Sequence, residues 1–305
     1  MELQKNKMQE AAILYYEKNC TQNEIAKIMN LSRQTVSKLL NEAKSEKIVE
    51  IKINNPETTC SELEKDIKAR FGIKNAVVCG VSSSNEGLRQ LMTVKKAIFY
   101  IEPILKEGNK KIALSWGRTI QTLISEIESI GASGNIVFPL FGATDQEEDY
   151  YSSNELARTF ADKIGAKVKY AWFPYKPDSV EDGLLFKKTS YYKKIDDLWN
   201  NIDISIVGLG NRKIIQTFGS IFGYNEKCSS AIGDIATHFF NANGEFVELY
   251  ENTLCASLDN LKKSKEIVAI ASGDNKCEAI IAALKSGILT TLVTDEYTAR
   301  ELLSY

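Results

Sequence analysis

The sequence predicts an α/β protein in two parts: a helical module with a wing strand over residues 1–55, and a doubly wound, mostly parallel sheet over residues 56–305. Three observations predict it. Apolar residues recur with helical period before residue 45, and continuous apolar runs alternate with helical segments after residue 75. A length of 305 residues also suits one large core beside a small module.

In the module, Lys5 to Asn19 carries a helical stripe of Met8, Ala12, Tyr15 and Tyr16. Thr21 is placed to cap a second helix, with Glu24 completing a capping box. Asn30-Leu31 makes the turn, and Ser32 caps a third helix whose inner face is Val36, Leu39, Leu40 and Ala43. The β-prone run IVEIKI (48–53) is expected to form the wing, and Asn54-Asn55-Pro56 to close the module.

Beyond it, ETTCSELEKDIKARFG reads as a polar helix, and a long helix is expected over about 85–107. The strand candidates are NAVVCGV, KIALSWG, NIVFPLFGA, AKVKYAWF, DISIVGLG, KEIVAIASG and ILTTLVTD. Several are apolar throughout, as strands covered on both faces require. DQEED (145–149) reads as a solvated loop or helix start.

Composition narrows the function classes. Apolar residues make up 44% and charged residues 26%, ordinary values for a globular chain. No apolar run approaches the roughly 18–20 residues of a membrane span, and MELQKNKMQEAA has no apolar signal core, so a cytoplasmic location is expected. The six cysteines are dispersed and His238 is the single histidine, so reduced thiols and neither metal nor cofactor are expected. Net charge is −2, yet residues 1–55 hold nine Lys/Arg against seven Asp/Glu. That modest basic patch suits a specific DNA reader that gains affinity by dimerising.

Two short helices joined by a tight turn, the second beginning with hydrogen-bonding side chains, form a helix-turn-helix pattern. The expected docking face is Arg33, Gln34, Thr35, Ser37 and Lys38. Arg33 or Gln34 suits base edges; Thr21, Gln22, Ser37 and Lys38 suit phosphates. The same pattern would also serve as a helical dimerisation module.

In the second part, four glycine-containing turns follow strands, where an open parallel sheet collects ligands. Ser115-Trp116-Gly117-Arg118-Thr119 joins a strand to a helix start and offers free N–H groups to an anion. Ser272-Gly273-Asp274-Asn275-Lys276 repeats the logic and adds a cation, and Phe141-Gly142 and Gly208-Leu209-Gly210 fall at equivalent positions. Each turn alone is a weak signal; their common register is stronger. Neither a P-loop nor GxGxxG occurs.

Taken in order, LYYEKNCTQNEIAKIMNLSRQTVSKLLNEAKSEKIVEI, SWGRT, AIGDIATHFFNANGE, IVAIASGDNKCEAI and LVTDEYTAREL resemble the SorC family of sugar-sensing bacterial transcriptional regulators, particularly its deoxyribonucleoside-regulator branch, over nearly the whole length. The resemblance implies an effector domain related to sugar-phosphate isomerases but without catalysis. It also implies a phosphosugar inducer, operator DNA as partner, and a homodimer or homotetramer. It assigns Ser115, Gly117, Arg118 and Thr119 to one phosphate-side motif, Ser272, Gly273 and Lys276 to a second, and Gly233-Asp234 to the sugar. Gly142 and Gly210 complete the expected set. Ser272 and Asn241 stand where the family more often has glycine and aspartate.

In that branch a lysine can form an imine with an open-chain sugar; Phe141 stands at its position, and a phenyl ring has no amine. Noncovalent holding is therefore expected, with Phe141 either stacking on the sugar or packing in the core. The rival reading is a sugar-phosphate isomerase or deaminase fused to a DNA-binding module, drawing its base from Asp234, Asp274 or Asp295. His238, inside an apolar HFF stretch, reads as structural. A third reading is a domain that only oligomerises.

Overall fold

A computed structural model describes residues 2–49, 60–81, 83–131, 134–144 and 152–305. The chain divides into two compact units, Met1–Glu57 and Thr58–Tyr305.

In the first unit, α1 spans Glu2–Ala12, α2 Gln22–Ile28 and α3 Arg33–Ser45. The caps form as local chemistry demands. Thr21 Oγ1 accepts from the Glu24 N–H, and Glu24 accepts from the Thr21 N–H at 2.8 Å. Ser32 Oγ accepts from the Thr35 N–H at 3.1 Å. Asn30 supplies the left-handed residue (φ +53°) between the two helices. Met8, Ala11, Ile25, Val36, Leu39, Leu40 and Ala43 close a small core.

Two expectations fail here. The first helix ends its α-geometry at Ala12 and continues as one π-helical turn, Ile13–Glu17. That wider turn breaks the 3.6-residue stripe and leaves Tyr15 exposed. At the far end, Ile48 and Val49 are not strand: their N–H groups bond back to Ala43 O, and both side chains pack on the helical core. The rest of the expected wing, Asn54-Asn55-Pro56, the first residues of the polar helix and DQEED lie outside the described residues.

The second unit is built on β1 Asn75–Cys79, β2 Lys111–Leu114, β3 Ile136–Pro139, β4 Lys167–Val168, β5 Ile204–Asn211, β6 Gly233–Ile235, β7 His238–Phe240, β8 Phe246–Val247, β9 Glu266–Ile270 and β10 Thr291–Asp295. Its helices are α4 Ser61–Phe71, α5 Glu86–Lys106, α6 Arg118–Glu126, α7 Ser153–Ile164, α8 Val180–Lys188, α9 Ser190–Trp199, α10 Arg212–Phe222, α11 Leu258–Lys263, α12 Cys277–Lys285 and α13 Glu296–Ser304. The strand order is β1-β10-β9-β5-β2-β3-β4, parallel throughout. From β2 the chain winds outward to β4, then returns to β5 on the other side of β2. The winding order of the strands therefore reverses between β2 and β5, which remain parallel, with Leu114 paired to Ile206.

An antiparallel extension, β5-β6-β7-β8, was not expected. Its strands are only two or three residues long beyond β5. Its two-residue hairpin turn, Ala236-Thr237, has positive φ at both positions without the Asn-Gly that usually announces such a turn. Among the described residues, no helix is long and apolar enough to cross a membrane.

Candidate functional site

A cavity of about 560 Å³ opens at the C-terminal ends of β2, β5 and β9, where the winding order reverses. Three of its walls follow from local sequence. After β2, Gly117 turns at φ +101° into α6, whose first N–H groups have no side-chain cap. After β9, the Ser272–Lys276 turn leads into α12, which is likewise uncapped. In β5, Gly210 lies so close to Asp234 that a Cβ would sit 2.0 Å from its Oδ1. Only glycine fits there.

Ser115, Gly117, Arg118 and Thr119 line this cavity, as do Gly210, Asp234, Ser272 and Lys276. The Ser115 hydroxyl is committed to the scaffold: it accepts from the Gly208 N–H at 3.2 Å and so ties β2 to β5. Gly273 lies beside the cavity rather than on its wall, and its N–H donates to Thr298 Oγ1 at 3.0 Å.

Phe141 and Gly142 are not on the wall. Phe141 is fully buried, 4.5 Å from the Trp116 ring and 6.2 Å from that of Tyr175. The Gly142 N–H donates to Leu254 O, and a Cβ there would meet the Pro174 carbonyl carbon at 2.5 Å. Of the two roles open to Phe141, the structure gives packing.

The sequence reading missed Gln90, Asn211 and Lys213 on the wall. Asn211 caps α10 through the Lys213 N–H, so an Asn between an apolar strand and RKIIQ was the available signal. Gln90 belongs to α5, whose covering of the cavity follows from tertiary packing alone.

Among the described residues the lining carries Arg118, Lys213 and Lys276 against one acid, Asp234. Burial pushes Asp234 up to about 6, opposed by N–H groups of Thr237 and Gly210 and by Lys276. Burial also lowers Lys276, against the pull of Asp234 and Glu86. The other carboxylates nearby serve the frame. Asp274 takes Arg89 Nη2 at 2.9 Å, and Asp295 caps α13 by accepting from the Thr298 N–H at 2.8 Å. Arg89, 4% exposed, also donates to Ser83 O and Ser84 O and so staples the Ser272–Lys276 turn to the start of α5. His238 sets Nε2 2.8 Å from Ala256 O, and burial lowers its pKa, which favours a neutral ring donating that hydrogen bond.

In the first unit, Arg33, Gln34 and Lys38 are exposed on the early turns of α3, and Lys38 lies 3.7 Å from Glu42. Thr35 is exposed, but its hydroxyl is 2.7 Å from Ser32 Oγ; Ser37 is half-buried. Thr21, Gln22 and Arg33 share one concavity with Tyr15, Tyr16 and Asn19. Thr21 Oγ1 is taken by the capping box, which leaves backbone N–H groups and Gln22 as the donors at that end.

Residues 55–304 match the family described as "Putative sugar-binding domain", and residues 7–44 match the helix-turn-helix of sigma-70 region 4. Among characterised relatives, the sorbitol operon regulator of Klebsiella pneumoniae is 29% identical, with 96% of each chain covered. The deoxyribonucleoside regulator of Bacillus subtilis is 25% identical, covering 97% of this chain and 96% of that one. The crystal structure of full-length SorC from Klebsiella pneumoniae superposes with a TM-score of 0.75 at 27% identity, covering 97% of both chains.

Proposed function

The chain belongs to the SorC family of sugar-binding transcriptional regulators, and from that premise we propose that its effector is a phosphorylated sugar, held without a covalent bond at the β2–β5 reversal. The observation that carries this reading is the convergence of Arg118, Lys213 and Lys276 with the uncapped start of α6 on one cavity. Cations beside a helix N-terminus that carries no side-chain cap favour a phosphate dianion. Asp234, held by two N–H groups, suits a sugar hydroxyl.

In this reading Arg33 and Gln34 meet base edges, while Gln22, Lys38 and the start of α2 meet phosphates. The chain acts as a homodimer or homotetramer, which multiplies a modest basic face over paired half-sites. It represses, and the sugar favours a subunit arrangement that fits those half-sites poorly.

Thermal denaturation of the full chain with phosphorylated pentoses and hexoses, beside their unphosphorylated forms, tests the effector class. A phosphosugar at one hundred times its Kd should stabilise the native state by about 2.7 kcal/mol. Borohydride reduction of that complex should leave the chain mass unchanged. Stabilisation by none of the phosphosugars, or a trapped adduct, contradicts the reading.

A further inference from the structure

α8 is firmly seated on the sugar-binding unit. Ser179 caps its start, the hydroxyl accepting from the Asp182 N–H at 3.0 Å. Its inner face is Gly183 and Phe186: a Cβ at Gly183 would sit 2.0 Å from Asn252 Oδ1, and Phe186 packs on the core. Asn252 Nδ2 also donates to Ser179 O at 2.6 Å, which fixes the orientation of the helix.

The outer face that this seating leaves is apolar. Val180 is 57% exposed, Leu184 54% and Leu185 60%. Among the described residues, no other helix exposes three large apolar side chains. Clustered aliphatic surface of this kind marks an interface.

The charges on the helix are ordered in a way that names the partner. Glu181 lies in the first turn and Lys188 at the last position, both exposed, and neither forms an ion pair among the described residues. At about 100° per residue, Glu181 and Lys188 share one flank of the outer face, with Leu184 between them along the axis. Turned end for end about a twofold axis at Leu184, a second α8 sets the partner's Leu184 against this one and the partner's Lys188 beside Glu181. The same pair forms again at the other end, as twofold symmetry requires. A parallel pairing would instead set like charges side by side. With Glu181 and Asp182 balancing Lys187 and Lys188, the helix has no net attraction for nucleic acid or an anionic surface.

We propose that α8 is the centre of a twofold contact between two copies of this chain, with the two helices antiparallel. The proposal rests on the homo-oligomeric reading above and names its surface. A stable contact covers about 800 Å² per partner, more than one short helix offers, so flanking residues complete the rim around Leu184.

Sedimentation equilibrium of the full chain tests it, in wild type, Leu184→Glu, Glu181→Lys, Lys188→Glu and the double variant Glu181→Lys/Lys188→Glu. Wild type should form a dimer or tetramer. Leu184→Glu should halve that mass at the same loading, because it sets two carboxylates face to face at the axis. Each single reversal turns two attractions into repulsions and should weaken the contact about tenfold. The double variant exchanges the partners of both pairs and should restore the contact to within about threefold of wild type, a rescue that an unfolded chain cannot give. A Leu184→Glu chain of wild-type mass, single reversals that associate as tightly as wild type, or a double variant no better than either single would overturn the proposal and leave the oligomeric reading in place. A wild type that stays monomeric would overturn both.

Discussion

The α2–α3 face and the switch-point cavity are assembled in opposite ways. The first gathers residues within twenty positions of one another, each set by a cap or a helical face: Thr21 with Glu24, Ser32 with Thr35, Val36 with Leu40. The second draws Ser115, Gly210, Asp234 and Lys276 from four separate elements, and strand order alone brings them together. Local chemistry suffices for a surface that meets a rigid rod from outside. Enclosing a small polar molecule takes groups from several directions, at the cost of burying charges that the fold must hold apart.

The comparison is sharpened most by pH. Native Asp234 titrates near 6 against an ordinary 3.8, so the folded chain binds more protons than the unfolded chain in between. Stability of the sugar-binding unit should therefore fall as pH rises from about 4 to about 6, by an amount on the order of 3 kcal/mol. Asp234→Asn should flatten that slope in urea unfolding followed across this range. A slope unchanged by the substitution would show that the cavity does not store this charge.

Arg33→Ala should next weaken operator binding by about 1–3 kcal/mol if Arg33 reads a base edge. The thermal shift given by a phosphosugar should persist, since the substituted side chain lies on an exposed helix face of the other unit. Loss of both functions would mean that the two sites are not separately built. Thr21→Ala is the smallest change: it removes the capping box and should lower the stability of the helical unit by about 1 kcal/mol, read by circular dichroism melting.

The same contrast decides what the sequence could tell. The caps at Thr21 and Ser32 and the parallel strands of the main sheet were legible because each is announced by its own residues. The π-turn at Ile13–Glu17 was hidden, since Tyr15 and Tyr16 fit an unbroken helical stripe equally well. β6 to β8 were hidden behind Ala236-Thr237, a turn whose residues do not suit its geometry. Of the eleven expected effector contacts, eight line the cavity; Gly273 lies beside it, and Phe141 and Gly142 turn into the core, a direction that a position just past a strand does not announce.

The central claim, that sugar phosphate at the switch-point cavity controls the operator-binding face, is tested most directly by operator titration of wild type and Lys276→Ala with and without the stabilising phosphosugar. The account predicts equal operator affinity for both chains in its absence. It predicts weakened binding by wild type alone in its presence. An operator affinity of wild type that ignores the sugar, or a Lys276→Ala chain that responds as wild type does, would contradict it.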